Sequence, residues 1–226
     1  MTSYLKTPII KSMGKKVVHP YHYSAEKNLI QRLLDIGLPV GLFYLYFQFY
    51  NLGKFTPSEM VKTTGLVSIS LLAITLLSGP AARFLPFLDI LKAHRKFWGI
   101  GSFLFLAAHI ILVYIFYFKF SLYKFIDPAN PKAVGLTYGL LATGVLLVVT
   151  LTSNRKALMG LDPKVWKFIQ TTSYLALVLA VAHFYFVEQV NGVFVIKGLA
   201  GQITFYFALA VILVRLLVLF LPQKRR

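Results

Sequence analysis

HRKFWGIGSFLFLAAHIILVYIFYF, residues 94–118, is the stretch whose reading decides the fold. A basic cluster, His94–Arg95–Lys96, gives way to an apolar run of about 20 residues, the length a helix needs to cross roughly 30 Å of hydrocarbon. One imidazole, His109, lies inside that run.

Five further apolar stretches accompany it, at about 33–52, 64–85, 135–153, 169–187 and 200–221, with the third span at 97–118. In lipid, backbone groups must be satisfied within the segment or in a closed barrel, and runs this long favour helices. The sequence therefore predicts an all-α membrane protein, a bundle of six transmembrane helices at 31–222. A basic arm at 1–30 precedes it and a basic tail at 223–226 follows. Pro80 is expected to kink the second span near its end, while Pro57 and Ser58, Pro86, and DPANP at 127–131 mark connecting loops. No internal repeat stands out.

Composition narrows the class. The chain is 58% hydrophobic and only 14% charged, against roughly 25% charged in soluble domains. A net charge of +17 suggests nucleic acid in a soluble chain, but here the basic residues gather at span ends, where they set topology. Most lie on the side shared by the arm, the loops after spans two and four, and the tail. The positive-inside rule then makes both termini cytoplasmic. The absence of cysteine excludes disulfides, cysteine-ligated iron–sulfur clusters, c-type haem attachment and thiol catalysis. The first 30 residues lack the apolar core of a cleavable signal.

A second imidazole, His183, lies in the fifth span, TTSYLALVLAVAHFYF. Measured from the basic residues at which each span begins, His109 is about 20 Å and His183 about 24 Å along its helix. Both helices run outward, so the rings reach similar heights in the outer half of the bilayer. Two neutral imidazoles at one level can supply both axial ligands of a b-type haem iron. Gly99, Gly101, Ala107, Ala108, Ala180 and Ala182 would leave room for a flat macrocycle. A proton relay, or hydrogen bonding between helices, also accounts for intramembrane histidines.

The remaining polar residues read more simply. His94 is expected at the interface within a basic cluster, with ligation of a second, inner haem as its other use. His19 and His22 could reach the inner face only if the arm folds back. Asp35 and Glu188 lie near span ends, within reach of water. Arg215 is expected to snorkel to the interface, or to pair with a carboxylate. Arg83 and Arg95 suit lipid head groups, and Trp98 and Trp166 read as interfacial anchors. Phe103, Phe105, Tyr114, Phe184, Tyr185 and Phe186 read as packing residues, some of them lining a cofactor. No Gly-rich dinucleotide fingerprint and no Walker motif occurs.

In order, Thr64–Gly65, Pro80 and Arg83, Arg95, Lys96 and Gly99, His109, Leu151–Thr152–Ser153, then Trp166, Tyr174 and His183 resemble the ferric reductase-like transmembrane domain family over about residues 60–190. Within it the chain is similar to the small bacterial haem-binding membrane subunits of periplasmic methionine-sulfoxide reductase systems. The resemblance implies b-type haem, His109 and His183 as iron ligands, electron transfer across the membrane, and a bacterial cytoplasmic (inner) membrane. Family members often carry a further histidine near the start of span five, in a pattern like W-x-x-L-H. Here WKFIQ places Gln170 there, which argues for one haem rather than two.

These readings describe an electron-transfer subunit of an oxidoreductase system rather than a self-contained enzyme, with no catalytic residue assigned. Its donor is expected to be a separate flavoprotein or a membrane quinol, with FMN or quinone as further cofactors, and its acceptor a partner protein on the outer side. The other readings are a membrane subunit of a larger respiratory or photosynthetic complex, and a haem-free transporter or scaffold.

Overall fold

The structure, a computed structural model, describes residues 29–51, 53–196 and 198–220. The basic arm with His19 and His22, and the basic tail, fall almost wholly outside these described residues. Among them, six helical spans are long and apolar enough to cross a membrane. The chain is an integral membrane protein of all-α architecture.

The spans are α1 (Leu29–Asn51), α2 (Pro57–Phe84), α3 (Arg95–Leu112), α4 (Ala133–Leu151), the pair α6 (Pro163–Thr171) and α7 (Ser173–Val187), and α8 (Leu199–Phe220). A short helix, α5 (Arg155–Gly160), joins α4 to α6. Strands β1 (Gln189–Val190) and β2 (Val193–Phe194) form a hairpin before α8. Pro57 does not end a loop but opens α2, seven residues before the expected start. The Thr56 side chain accepts a hydrogen bond from the Glu59 N–H, and proline costs nothing at a position whose N–H has no helical partner. α6 starts in the same way, with Pro163 behind Asp162, whose carboxylate caps Lys164 and Val165.

α2 is the central element. Leu71, Ala73 and Val67 on it are fully enclosed, while α1 and α3 present most of their apolar surface outward. Leu72, Leu76, Leu146, Ala176, Leu177 and Ala208 form one buried cluster. Lipid tails are as apolar as leucine, so cohesion between these helices comes from close packing and from hydrogen bonds. Ser68 donates to the Ser102 carbonyl at 2.9 Å and Ser102 donates to the Ser68 carbonyl at 2.8 Å, clamping α2 to α3. The Tyr46 hydroxyl joins Ser70 and Thr204, each at 2.8 Å, tying α1 to α2 and α8.

The bundle contains a duplication that the linear reading missed. α2 packs chiefly on α3, and α4 chiefly on α7. The second pair repeats the first after 74 residues: Val61 corresponds to Gly135, Gly65 to Gly139, Leu72 to Leu146, and His109 to His183. The sequence does carry the repeat, as Thr63-x-Gly65-Leu66 against Thr137-x-Gly139-Leu140, and as Ala108–His109 with Val113 against Ala182–His183 with Val187. Few identities survive because most positions need only be apolar.

Candidate functional site

Each half of the duplication builds one half of a site. On α3 the His109 Nδ1 lies 2.8 Å from the Val61 carbonyl oxygen at the start of α2. On α7 the His183 Nδ1 lies 2.8 Å from the Gly135 carbonyl oxygen at the start of α4. A carbonyl can only accept, so Nδ1 carries the proton in both rings and donates it. Nε2 is thereby left with its lone pair, the form in which a neutral imidazole binds metal, and the hydrogen bond fixes the ring's orientation.

Glycine makes both approaches possible. A Cβ on Gly65 would stand 3.0 Å from the His109 Nδ1, and one on Gly139 would stand 2.7 Å from the His183 Nδ1. Gly135 is equally crowded, because a Cβ there would meet Val187 at 2.8 Å. The ring centres of His109 and His183 lie 6.3 Å apart with their planes at 83°. Two metal–imidazole bonds of about 2 Å and two ring half-widths of about 1.2 Å span about 6.4 Å. The ring-centre separation of 6.3 Å is thus compatible with both imidazoles ligating one metal ion.

The two rings border a cavity of about 420 Å³, closed largely by Leu66, Ile69, Leu106, Leu136 and Phe184. That size falls within the roughly 300–1,000 Å³ usual for cofactor sites. A smaller recess, bordered by Gly65, Leu72, Gly139 and Leu146, continues inward beneath the histidines. Just beyond His109 the helix widens into a π-turn at Val113–Tyr117, a distortion that recurs at functional sites. It carries the chain to Tyr117 and Phe118 on the cavity wall. Nitrogen ligands with their other nitrogen anchored, in an apolar chamber of this size, suit a flat metal macrocycle.

Several expectations are corrected. Gly99 and Gly101 leave no room for a macrocycle: Gly99 faces Thr75, and Gly101 admits Pro39 of α1 and Leu71. Of the alanines singled out, only Ala180 borders the recess, and none borders the main cavity. Of the glycines against the histidines, Gly65 and Gly139, the first stands in the Thr64–Gly65 motif and the second shows only as its copy in the repeat.

His94, at the start of the third span, is enclosed by protein rather than open to its surroundings. It is 1% exposed, its Nδ1 is 2.7 Å from Asp35 Oδ1, and it stacks on Trp98 at 5.2 Å. Its Nε2 is buried without a hydrogen-bond partner among the described residues. Asp35, expected to reach water, is buried as well. Trp98 is no lipid-facing anchor either, since it is enclosed and donates its indole N–H to the Leu34 carbonyl at 3.2 Å. These contacts seat α1 on α3. Gln170 is occupied too, donating to Thr152 Oγ1 at 3.1 Å and to the Val149 carbonyl at 3.3 Å.

The arginines likewise serve the bundle. Arg95 donates to the Thr75 carbonyl at 3.2 Å and Arg83 to the Val218 carbonyl at 3.3 Å. The Arg215 guanidinium lies 4.8 Å from the Tyr174 ring centre, a cation–π contact. The Tyr174 hydroxyl in turn donates to the Leu76 carbonyl at 2.8 Å.

The family described as the ferric reductase like transmembrane component matches residues 64–181, just over half of the chain. The matched region runs from within α2 into α7 and includes His109. No curated protein matches the chain.

Proposed function

The chain belongs to the ferric reductase-like transmembrane family, and on that premise we propose that it is a b-type haem subunit that carries electrons across the membrane. Its iron ligands are His109 and His183. A bound haem supplies reversible one-electron chemistry. The observation that carries this reading is the matched pair of imidazoles, 6.3 Å apart, each with Nδ1 committed to a backbone carbonyl.

The protein's own contribution follows from those contacts. Val61 and Gly135 hold the imidazoles in one tautomer and one orientation, which raises the basicity of Nε2. With both imidazoles as ligands, a haem iron would keep no open position, which would favour outer-sphere electron transfer over oxygen binding. The apolar wall keeps water from the centre and lowers the local dielectric, which disfavours the more highly charged oxidation state.

One haem accounts for the residues better than two. The counterpart tier below the histidines is filled by Leu72, Leu76, Leu146 and Leu177, His94 is engaged by Asp35, and Gln170 by α4. The Lys- and Arg-rich end is the one away from the histidines, so the positive-inside rule sets both termini in the cytoplasm and the haem toward the outer face. Electrons then come from a flavoprotein or a membrane quinol and pass to an acceptor protein on the outer side. This is the arrangement expected of a membrane subunit serving a periplasmic reductase, such as that of a methionine-sulfoxide reductase system, in a bacterial inner membrane.

The test is a dithionite-reduced minus oxidised spectrum of the purified protein, with haem quantified per chain. The expected result is a sharp b-type α-band at one haem per chain, lost in both His109→Ala and His183→Ala. A wild-type protein that takes up no haem under haem-replete expression would refute the reading.

A further inference from the structure

The cavity wall is apolar except at one end. Its formally charged residues, among those described, are Lys62, Lys132 and Glu188. Lys62 lies in the second turn of α2, while Lys132 and Glu188 flank α4 and α7. Lys62 follows Val61, the residue that anchors His109. Lys132 precedes α4, three residues before Gly135, which anchors His183. Glu188 closes α7 directly after Val187. Asn130 and Tyr117 border the same rim. The Lys132 ammonium donates to the Val187 carbonyl, and the Asn130 side-chain oxygen accepts the Lys132 N–H at 2.9 Å, so the chain is held at the rim.

This distribution has a chemical consequence for the haem reading, on which it rests. A b-type tetrapyrrole is apolar over most of its perimeter but carries two carboxylates on one edge. Carboxylates buried among leucines are costly unless paired with cations and hydrogen-bond donors. Only one end of this cavity offers such partners, and it offers one lysine from each half of the duplication. We infer that Lys62 and Lys132 bind the two haem carboxylates, and so fix the macrocycle with its acidic edge at the rim, beneath the segment that follows α3. Glu188 opposes them, leaving the rim with two cationic groups against one carboxylate. The lysines are positioning residues: they set affinity and orientation and leave the iron ligands untouched.

The experiment measures the rate at which haem passes from the purified full-length protein to an apo-haem-protein scavenger, for wild type, Lys62→Met, Lys132→Met and the double variant. It is repeated after reconstitution with protohaem dimethyl ester, which lacks the charges. The double variant is expected to lose haem at least ten-fold faster, with each single variant intermediate and the α-band unshifted. Lys62→Arg/Lys132→Arg is expected to restore retention, and Glu188→Gln to slow the loss. The ester should leave wild type and double variant at equal rates. If wild type holds the ester as firmly as haem, the lysines do not pair with the carboxylates; that comparison needs no variant to fold. A normal two-histidine spectrum with haem loss indifferent to both lysines overturns this inference alone. A wild type without haem overturns the reading beneath it.

Discussion

The same four helices build two tiers of opposite character. In the histidine tier, Gly65 and Gly139 face each other across the duplication and a cavity opens between His109 and His183. Two helical turns further in, about 10 Å at 1.5 Å per residue, the corresponding positions are Leu72 and Leu146, which floor a small recess and belong to the packed core. The backbone scaffold is common to both. The difference lies in side-chain volume at pairs of equivalent positions, so a packed core and an open cavity are neighbouring solutions of one architecture. His94 shows the same contrast among the histidines. His109 and His183 give Nδ1 to a neutral carbonyl and border a cavity, whereas His94 faces the Asp35 carboxylate in a closed environment.

The comparison can be broken most sharply at glycine. In Gly139→Ala the new methyl would stand 2.7 Å from the His183 Nδ1, closer than packed atoms tolerate, so the ring must turn and give up the Gly135 carbonyl. Haem content per chain is expected to fall more than ten-fold, with a milder fall in Gly65→Ala, where the gap is 3.0 Å. Full haem occupancy in Gly139→Ala would show that glycine is not what opens the chamber.

The second test concerns the closed tier. In His94→Ala the buried Asp35 carboxylate loses one of its partners, and removing a buried hydrogen-bond partner costs about 1–3 kcal/mol. Thermal unfolding in detergent should shift down accordingly while the haem spectrum is unchanged. A lost or altered α-band in this variant would instead make His94 a ligand. The smallest effect is expected from Gln170→His, which supplies the missing family histidine. Haem stays at one per chain, because Leu72 and Leu146 still occupy the space; a second haem on pyridine-haemochrome assay would show that the closed tier is closed only by its ligands.

Span number and the histidine pair were legible because they depend on local quantities: run length, hydropathy and distance along a helix. His109 and His183 could be matched in height by counting residues from the basic flanks. What the sequence hid was lateral. Asp35 and His94 are 59 positions apart, and nothing in either span tells which face of α1 meets α3. Trp98 at a span boundary looks like a lipid anchor until α1 covers it. The glycines beneath the imidazoles are two of 15 in the chain, and the sequence does not tell which of them another side chain approaches closely. A comparison of the chain with itself at a step of 74 would have exposed them.

The duplication has a mechanical side. Each imidazole is oriented wholly within its own half, His109 by Val61 and His183 by Gly135. Nothing within either half fixes the distance between the two rings; that distance is set by how one half seats on the other, through contacts such as Leu72 and Leu146. An iron shared by the two rings would act as a calliper across this seam. Pressure, bilayer thickness or a change of side chain at the interface would then stretch or compress its axial bonds and be read in its colour, with neither histidine touched.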